Sequence, residues 1–221
     1  MPLPMVHLAV AHALIESGSY FAVENLPSFY LGTIAPDAIH MRANLDRAAK
    51  NLTHIIEPDK RPPKSNPAAF YDYVFSAVND FMNSNQDSAN VDFLRGYCVH
   101  ILTDQIWGLQ IFTPFRDKFN SEPSQNQNLN KVYYNNTGIV DNFLYNECEW
   151  RKGVWKLLES VKACDFLNLL TAGEICEWNE RTLHWYDPRD NGAVNSARYI
   201  TKTKIMKFIS DCSELIIDHC K

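Results

Sequence analysis

Apolar residues recur three and four apart through most of this chain, a spacing that gathers them on one side of a helix. "DFLRGYCVHILTDQIWGL" (Asp92–Leu109) sets Leu94, Cys98, Ile101, Gln105 and Leu109 near one face. The alternation that marks a half-buried strand is too weak anywhere to compete, and no internal repeat is present. Helix starts carry their own signals. Pro4 precedes an apolar helix over Met5–Ser17, and an Asn-Pro pair opens Asn66–Met82. Thr137 is the expected N-cap of one long helix running to Val161. Thr171 and Glu174 have capping-box spacing, and Ser196–Cys220 forms a last amphipathic stretch. Loops are expected where Pro, Asn and Ser cluster, at Glu57–Pro67, Asn83–Asn90 and Asn120–Asn130. The expectation is one all-α, multi-helix domain over 1–221, built from six or seven helices.

With 221 residues, just under half of them apolar, the chain buries a sizeable core. Its net charge is −5 with both signs mixed, and there is no basic tail or stripe, hence no strong nucleic-acid signature. The six cysteines are scattered without a C-x-x-C pair and read as reduced thiols. "MPLPMVHLAVAHALIESG" is apolar but lacks a basic segment and is interrupted by two histidines, which argues against a signal peptide. No apolar run approaches the roughly 20 residues of a transmembrane helix. The expected location is cytoplasmic.

Chemistry enters with "LGTIAPDAIH" (Leu31–His40), where Asp37 and His40 interrupt an apolar run. A buried carboxylate is costly unless it is paired or coordinated. On the helix over Asp92–Leu109, His100 and Asp104 are four apart, so they share a face. Gly96, one turn earlier, removes a side chain that would crowd the imidazole. His54 in "KNLTH" and His7 in the first helix complete a set of imidazoles and carboxylates. Zinc takes such ligands and, in catalytic sites, keeps a position for water.

The ordered series "MPLPMVHLAVA", "FYLGTIAPDAIH", "NLTH" and "GYCVHILTDQIW" resembles the zinc-dependent phospholipase C family, whose helical fold the secreted single-strand nucleases share. The resemblance covers residues 1–107. It implies a phospholipase C/nuclease-like fold in which Asp37, His54, His100 and Asp104 hold one zinc, with Asp104 bridging to a second that His7 also binds. It further implies a phosphodiester hydrolase using a metal-activated water, with Asp37 as general base and a small phosphodiester or phospholipid-type substrate. The pattern also departs from the family's. Gln110 stands where a further His is expected, and no His follows until His184, so a third zinc is expected to be absent. His40 and Asp141 are the candidate substitute ligands.

Other readings compete at each position. Asp37 after Pro36 can act as a helix cap. His12, five residues from His7, does not share its face. His184 and His219 read as core or surface residues, the tryptophans of "ECEWRKGVW" as core, and the lysines before Lys207 as a solvated face. The alternative function is a non-catalytic helical domain with a structural metal or a partner-binding role.

Overall fold

A computed structural model describes residues 1–87, 90–122, 127–186 and 197–220. Among them are ten α-helices: α1 Pro4–Ser17, α2 Leu26–Gly32, α3 Arg47–Thr53, α4 Pro67–Asn85, α5 Val91–Trp107, α6 Thr113–Ser121, α7 Leu129–Glu147, α8 Arg151–Ser160, α9 Ala172–Leu183 and α10 Lys202–His219. A 3₁₀ turn covers Ala35–Met41, and a π-helical segment, Gly108–Phe112, joins α5 to α6. No strand forms among the described residues beyond an isolated bridge between Phe166 and Leu170. The chain is all-α, as its periodicity predicts.

There are more helices than the six or seven expected because α2, α3 and α6 are too short to show a period. Side chains compensate for their length. Asn25 accepts from the Ser28 N–H to start α2, and Asp46 accepts from Ala49 N–H to start α3. The helix expected from Thr137 to Val161 is corrected. α7 begins at Leu129, capped by Asn128, and the chain breaks at Cys148 before α8 begins. Thr137 is buried inside α7 with its hydroxyl turned back onto the Tyr134 carbonyl. Positions 88–89 and 123–126 of the expected loops, and Ser196, lie outside the described residues.

α5 is the axis of the molecule. It packs on α1, α2, α4, α10 and the 3₁₀ turn and is buried on nearly every side, so its apolar surface is no stripe but the whole circumference. The buried apolar side chains form one cluster that runs from Met5 to Cys220. The crossing of α2 and α5 is the tightest contact. A Cβ on Gly32 would collide with the Phe93 carbonyl, and one on Gly96 with the Phe29 carbonyl while standing 3.0 Å from Thr33 N. Gly96 therefore makes room for a neighbouring backbone, where the spacing alone had it clearing space around His100. Asp92 ties the same crossing at its edge, accepting from the N–H groups of Glu24 and Asn25 at 3.0 and 2.7 Å.

Gly96→Ala is expected to cost on the order of 1–3 kcal/mol, as overpacking does. Gly138→Ala, in α7 with open space around it, should gain about 0.5–1 kcal/mol of helix propensity. Urea unfolding midpoints of the two variants should move in opposite directions.

Candidate metal centre

Five polar side chains from four segments converge on one buried point. α1 supplies His7, the 3₁₀ turn Asp37, the end of α3 His54, and α5 both His100 and Asp104 within its length. Each is at most 9% exposed. Their potential ligand atoms form two groups that share His100: His7, His100 and Asp104, and Asp37, His54 and His100, each within 4.8 Å.

The local folding explains the aim of each imidazole. At the close α2–α5 crossing, Thr33 presents its carbonyl 2.8 Å from His100 Nδ1. A carbonyl only accepts, so Nδ1 carries the proton and Nε2 presents a lone pair. His54 repeats the device. It stands at the C-terminal boundary of α3, and its Nδ1 donates to the Lys50 carbonyl at 3.1 Å, leaving Nε2 as the free acceptor. Tyr97 of α5 donates to the Thr53 carbonyl and holds this helix end against the core. Ile55, immediately after, takes φ +49°, a strained value for a β-branched residue. His7 stacks on His100 with ring centroids 3.8 Å apart and planes within 1°.

The polar atoms at the centre have no hydrogen-bond partners: both ring nitrogens of His7, Nε2 of His54 and His100, and one oxygen each of Asp37 and Asp104. Their separations explain why. His7 Nε2 lies 3.6 Å from Asp104 Oδ1, and His54 Nε2 lies 3.6 Å from Asp37 Oδ1 and 3.7 Å from Asp104 Oδ2. His100 Nε2 is 4.0 Å from Asp104 Oδ2. These distances are long for hydrogen bonds. They are near the ~3.4 Å that separates two ligands of a tetrahedral ion bound at about 2.1 Å. Asp104 turns one oxygen to His7 and the other to His54 and His100, an arrangement suited to a bridging carboxylate.

Charge is distributed accordingly. Burial, with His100 alongside, depresses the His7 pKa far below its ordinary value, and burial lowers that of His100, so both rings are neutral donors of a lone pair. Burial also opposes the charged form of His54, but Asp37 and Asp104 outweigh it and the net shift is upward. Burial disfavours the Asp37 carboxylate as well. The facing imidazoles, His54 first, more than offset this and hold Asp37 below the usual carboxylate range. Asp37 makes no cap: the 3₁₀ turn starts at Ala35, after Ile34, without a side-chain cap bond.

The remaining candidates take other places. His40 is brought to 3.7 Å from Asp37 Oδ1, but Lys50 Nζ donates to its Nε2 at 3.1 Å, and it stands at the rim outside both groups. Asp141 is fully buried away from them. It accepts from the Val6 N–H at 3.3 Å and from the Tyr186 hydroxyl, and burial pushes its pKa up to about 7. It thus adds a second acceptor to the Val6 N–H, which also donates to the Leu3 carbonyl at 3.1 Å, in the first turn of α1 one residue before His7. Its separation from His7 in sequence gives no hint of that role. Gln110 donates to Tyr71 and lines a different recess. His12 stacks on Trp150, His219 stacks on Phe75, and His184 is exposed.

The centre is closed behind and open in front. His7 and His100 are walled in, whereas His54 and Asp104 line a cavity of about 490 Å³ and Asp37 lines a neighbouring recess of about 330 Å³. α7 and α9, from the half of the chain without resemblance, supply walls through Tyr133, Tyr134, Trp178 and Arg181. Comparison with protein-family models, curated proteins and solved structures finds no match.

Two outcomes are expected. His54→Ala and His100→Ala should each lower zinc affinity by more than the 10–100-fold typical of losing even an outer partner, read by competition with a chromogenic chelator, while His12→Ala should not. The raised Asp141 pKa means that protonation favours the folded state. This contribution is complete below about pH 4 and is lost as pH rises toward 7. The stability of Asp141→Asn relative to the parent should therefore improve across that window in denaturant titrations of chelator-treated protein.

Proposed function

We propose that this chain is a metal-dependent phosphodiester hydrolase, with zinc as the expected metal and one or two ions at the centre. The observation that carries the reading is the convergence of partnerless buried donors from His7, Asp37, His54, His100 and Asp104 at the wall of open cavities. Leaving such atoms unpaired in the interior costs about 1–3 kcal/mol each, so a fold that collects them implies a cation. The donor set of imidazole nitrogens and carboxylate oxygens suits zinc. Its resemblance to the zinc-dependent phospholipase C family, over residues 1–107, supplies the reaction class.

When bound, the metal lowers the pKa of a coordinated water toward neutrality and polarises a phosphoryl oxygen. The chain's own groups do the rest. His54, His100 and His7, oriented by their surroundings, hold the ligand positions, with His7 and His100 neutral. Asp104 balances the cationic charge between the two groups. Asp37, at the open side and held ionised by the imidazoles, receives the proton of the attacking water. The openness of the His54–Asp104 wall favours this reading over a structural metal, which is normally sealed by protein ligands on every side.

Protein purified without chelator is expected to contain zinc by elemental analysis and to hydrolyse bis(p-nitrophenyl) phosphate. Chelation should abolish turnover and zinc should restore it. Asp37→Asn should reduce kcat by about 10²–10⁴-fold, the usual contribution of a general base. Full metal occupancy without turnover on any phosphodiester would turn the reading toward a structural centre, and absence of metal together with a silent Asp104→Ala would end it.

A further inference from the structure

The two recesses in front of the centre differ in chemistry. The one beside Asp37 is aromatic: Arg181 lies over Trp178 and Trp185, 5.4 and 5.3 Å from their ring centroids. The larger one, beside His54 and Asp104, is cationic. Arg47, Lys50 and Lys64 line it, and its only carboxylate is Asp104 itself.

Cations elsewhere in this acidic chain are commonly paired with carboxylates. Arg42 meets Glu174 at 2.6 Å, Lys60 meets Glu57 at 2.9 Å, Arg95 meets Asp92 at 2.8 Å and Lys207 meets Asp211 at 2.8 Å. Among the described residues no carboxylate pairs with Arg47, Lys50 or Lys64. A solvated charged face does not account for Lys64, which is half-buried and locked in place. Its Nζ donates to the Gly108 carbonyl at 2.7 Å. That carbonyl belongs to the π-helical segment and also accepts from Thr113 Oγ1 at 2.9 Å. Position 108 leaves room for the ammonium, since a Cβ there would stand 2.8 Å from Nζ. π-helical segments of this kind are frequent at functional sites. An ammonium has three protons to donate, and only one is used by the Gly108 carbonyl. Burial, with Arg61 and Arg116 nearby, pushes the Lys64 pKa down to about 8, so an arriving anion would relieve like-charge repulsion.

A phosphodiester brings one negative charge, which the metal centre accommodates. Three further cations on one side require a further anion. We propose that the cavity lined by Arg47, Lys50 and Lys64 is a second anion subsite, and that the preferred substrate is a small phosphodiester carrying an additional phosphate group on that side. The inference deepens the hydrolase reading and rests on it for the word substrate. A zwitterionic choline ester would present a cation to this wall and is disfavoured.

The test has a binding arm and a kinetic arm. Inorganic phosphate should bind chelator-treated protein, and Lys64→Met should weaken it about tenfold, in line with one charge-assisted hydrogen bond, by calorimetry. Lys64→Arg should retain most of the affinity, Lys50→Met should also weaken it, and the exposed Lys156→Met should not. With the zinc-loaded protein, the KM for thymidine 3′-phosphate 5′-(p-nitrophenyl phosphate) should lie about tenfold below that for thymidine 5′-(p-nitrophenyl phosphate). Glycerophosphoinositol 4-phosphate and glycerophosphoinositol, compared in the same way, separate a headgroup source from a nucleotide one. Lys64→Met should reduce whichever preference is found to near unity. Hydrolysis with no preference in either pair, or phosphate binding indifferent to both Lys64→Met and Lys50→Met, would overturn the subsite and leave the hydrolase standing. Lys64-dependent phosphate binding without any hydrolysis would instead remove the hydrolase and leave the anion subsite.

Discussion

His100 donates its Nδ1 proton to the carbonyl of Thr33 in the middle of the protein, and most of the site follows from that one bond. The bond exists because Gly32 and Gly96 let α2 and α5 touch backbone to backbone, bringing Thr33 over the imidazole. With Nδ1 committed, the lone pair on Nε2 faces inward, where His7, His54, Asp37 and Asp104 also present unpaired atoms. None of these separations closes into an ordinary hydrogen bond, so the interior is electrostatically incomplete by itself. The rest of α5 cannot shift to relieve it, because the helix is packed on nearly every side. The tight crossing therefore holds apart groups that would otherwise collapse onto one another, a service useful only if something is to sit between them.

Legibility in the sequence tracked the range of the interaction. Periodicity and caps are local, and α1, α4 and α9 lie close to where Pro4, Asn66 and Thr171 indicate. The His100–Asp104 pair is local too, one turn apart on α5. The convergence of His7, Asp37 and His54 upon it is a tertiary fact. It was reachable only because short motifs in a particular order resemble a known family, and spacing alone does not deliver it. Thr137 misled because a β-branched hydroxyl residue before an apolar run looks like a cap. In the fold its hydroxyl bonds back along the helix, and Asn128 does the capping. Asp141, in "GIVDNFLY", is a candidate substitute ligand by sequence. Its actual partners are the Val6 backbone N–H, 135 residues away, and the Tyr186 hydroxyl, neither of which any pattern in the chain announces.

Lys64 was invisible for a different reason. It lies in a stretch whose Pro, Ser and Asn content reads as loop, and charged loop residues are normally solvated. What gives it meaning is the Gly108 carbonyl at the junction of α5 and α6, which accepts from Lys64 Nζ, and a glycine position that leaves room for the ammonium. Asp104 sits four residues before that glycine on the same continuous run of helix, so the element that presents this candidate ligand also anchors the Lys64 ammonium. A carboxylate and an ammonium left free in one cavity would tend to pair and neutralise. Lys64 docks on the Gly108 carbonyl and makes no ion pair with Asp104, so a candidate metal-binding carboxylate and a cationic wall share the same 490 Å³ space. That separation of opposite charges is what would allow one pocket to take both the proposed cation and the proposed anion.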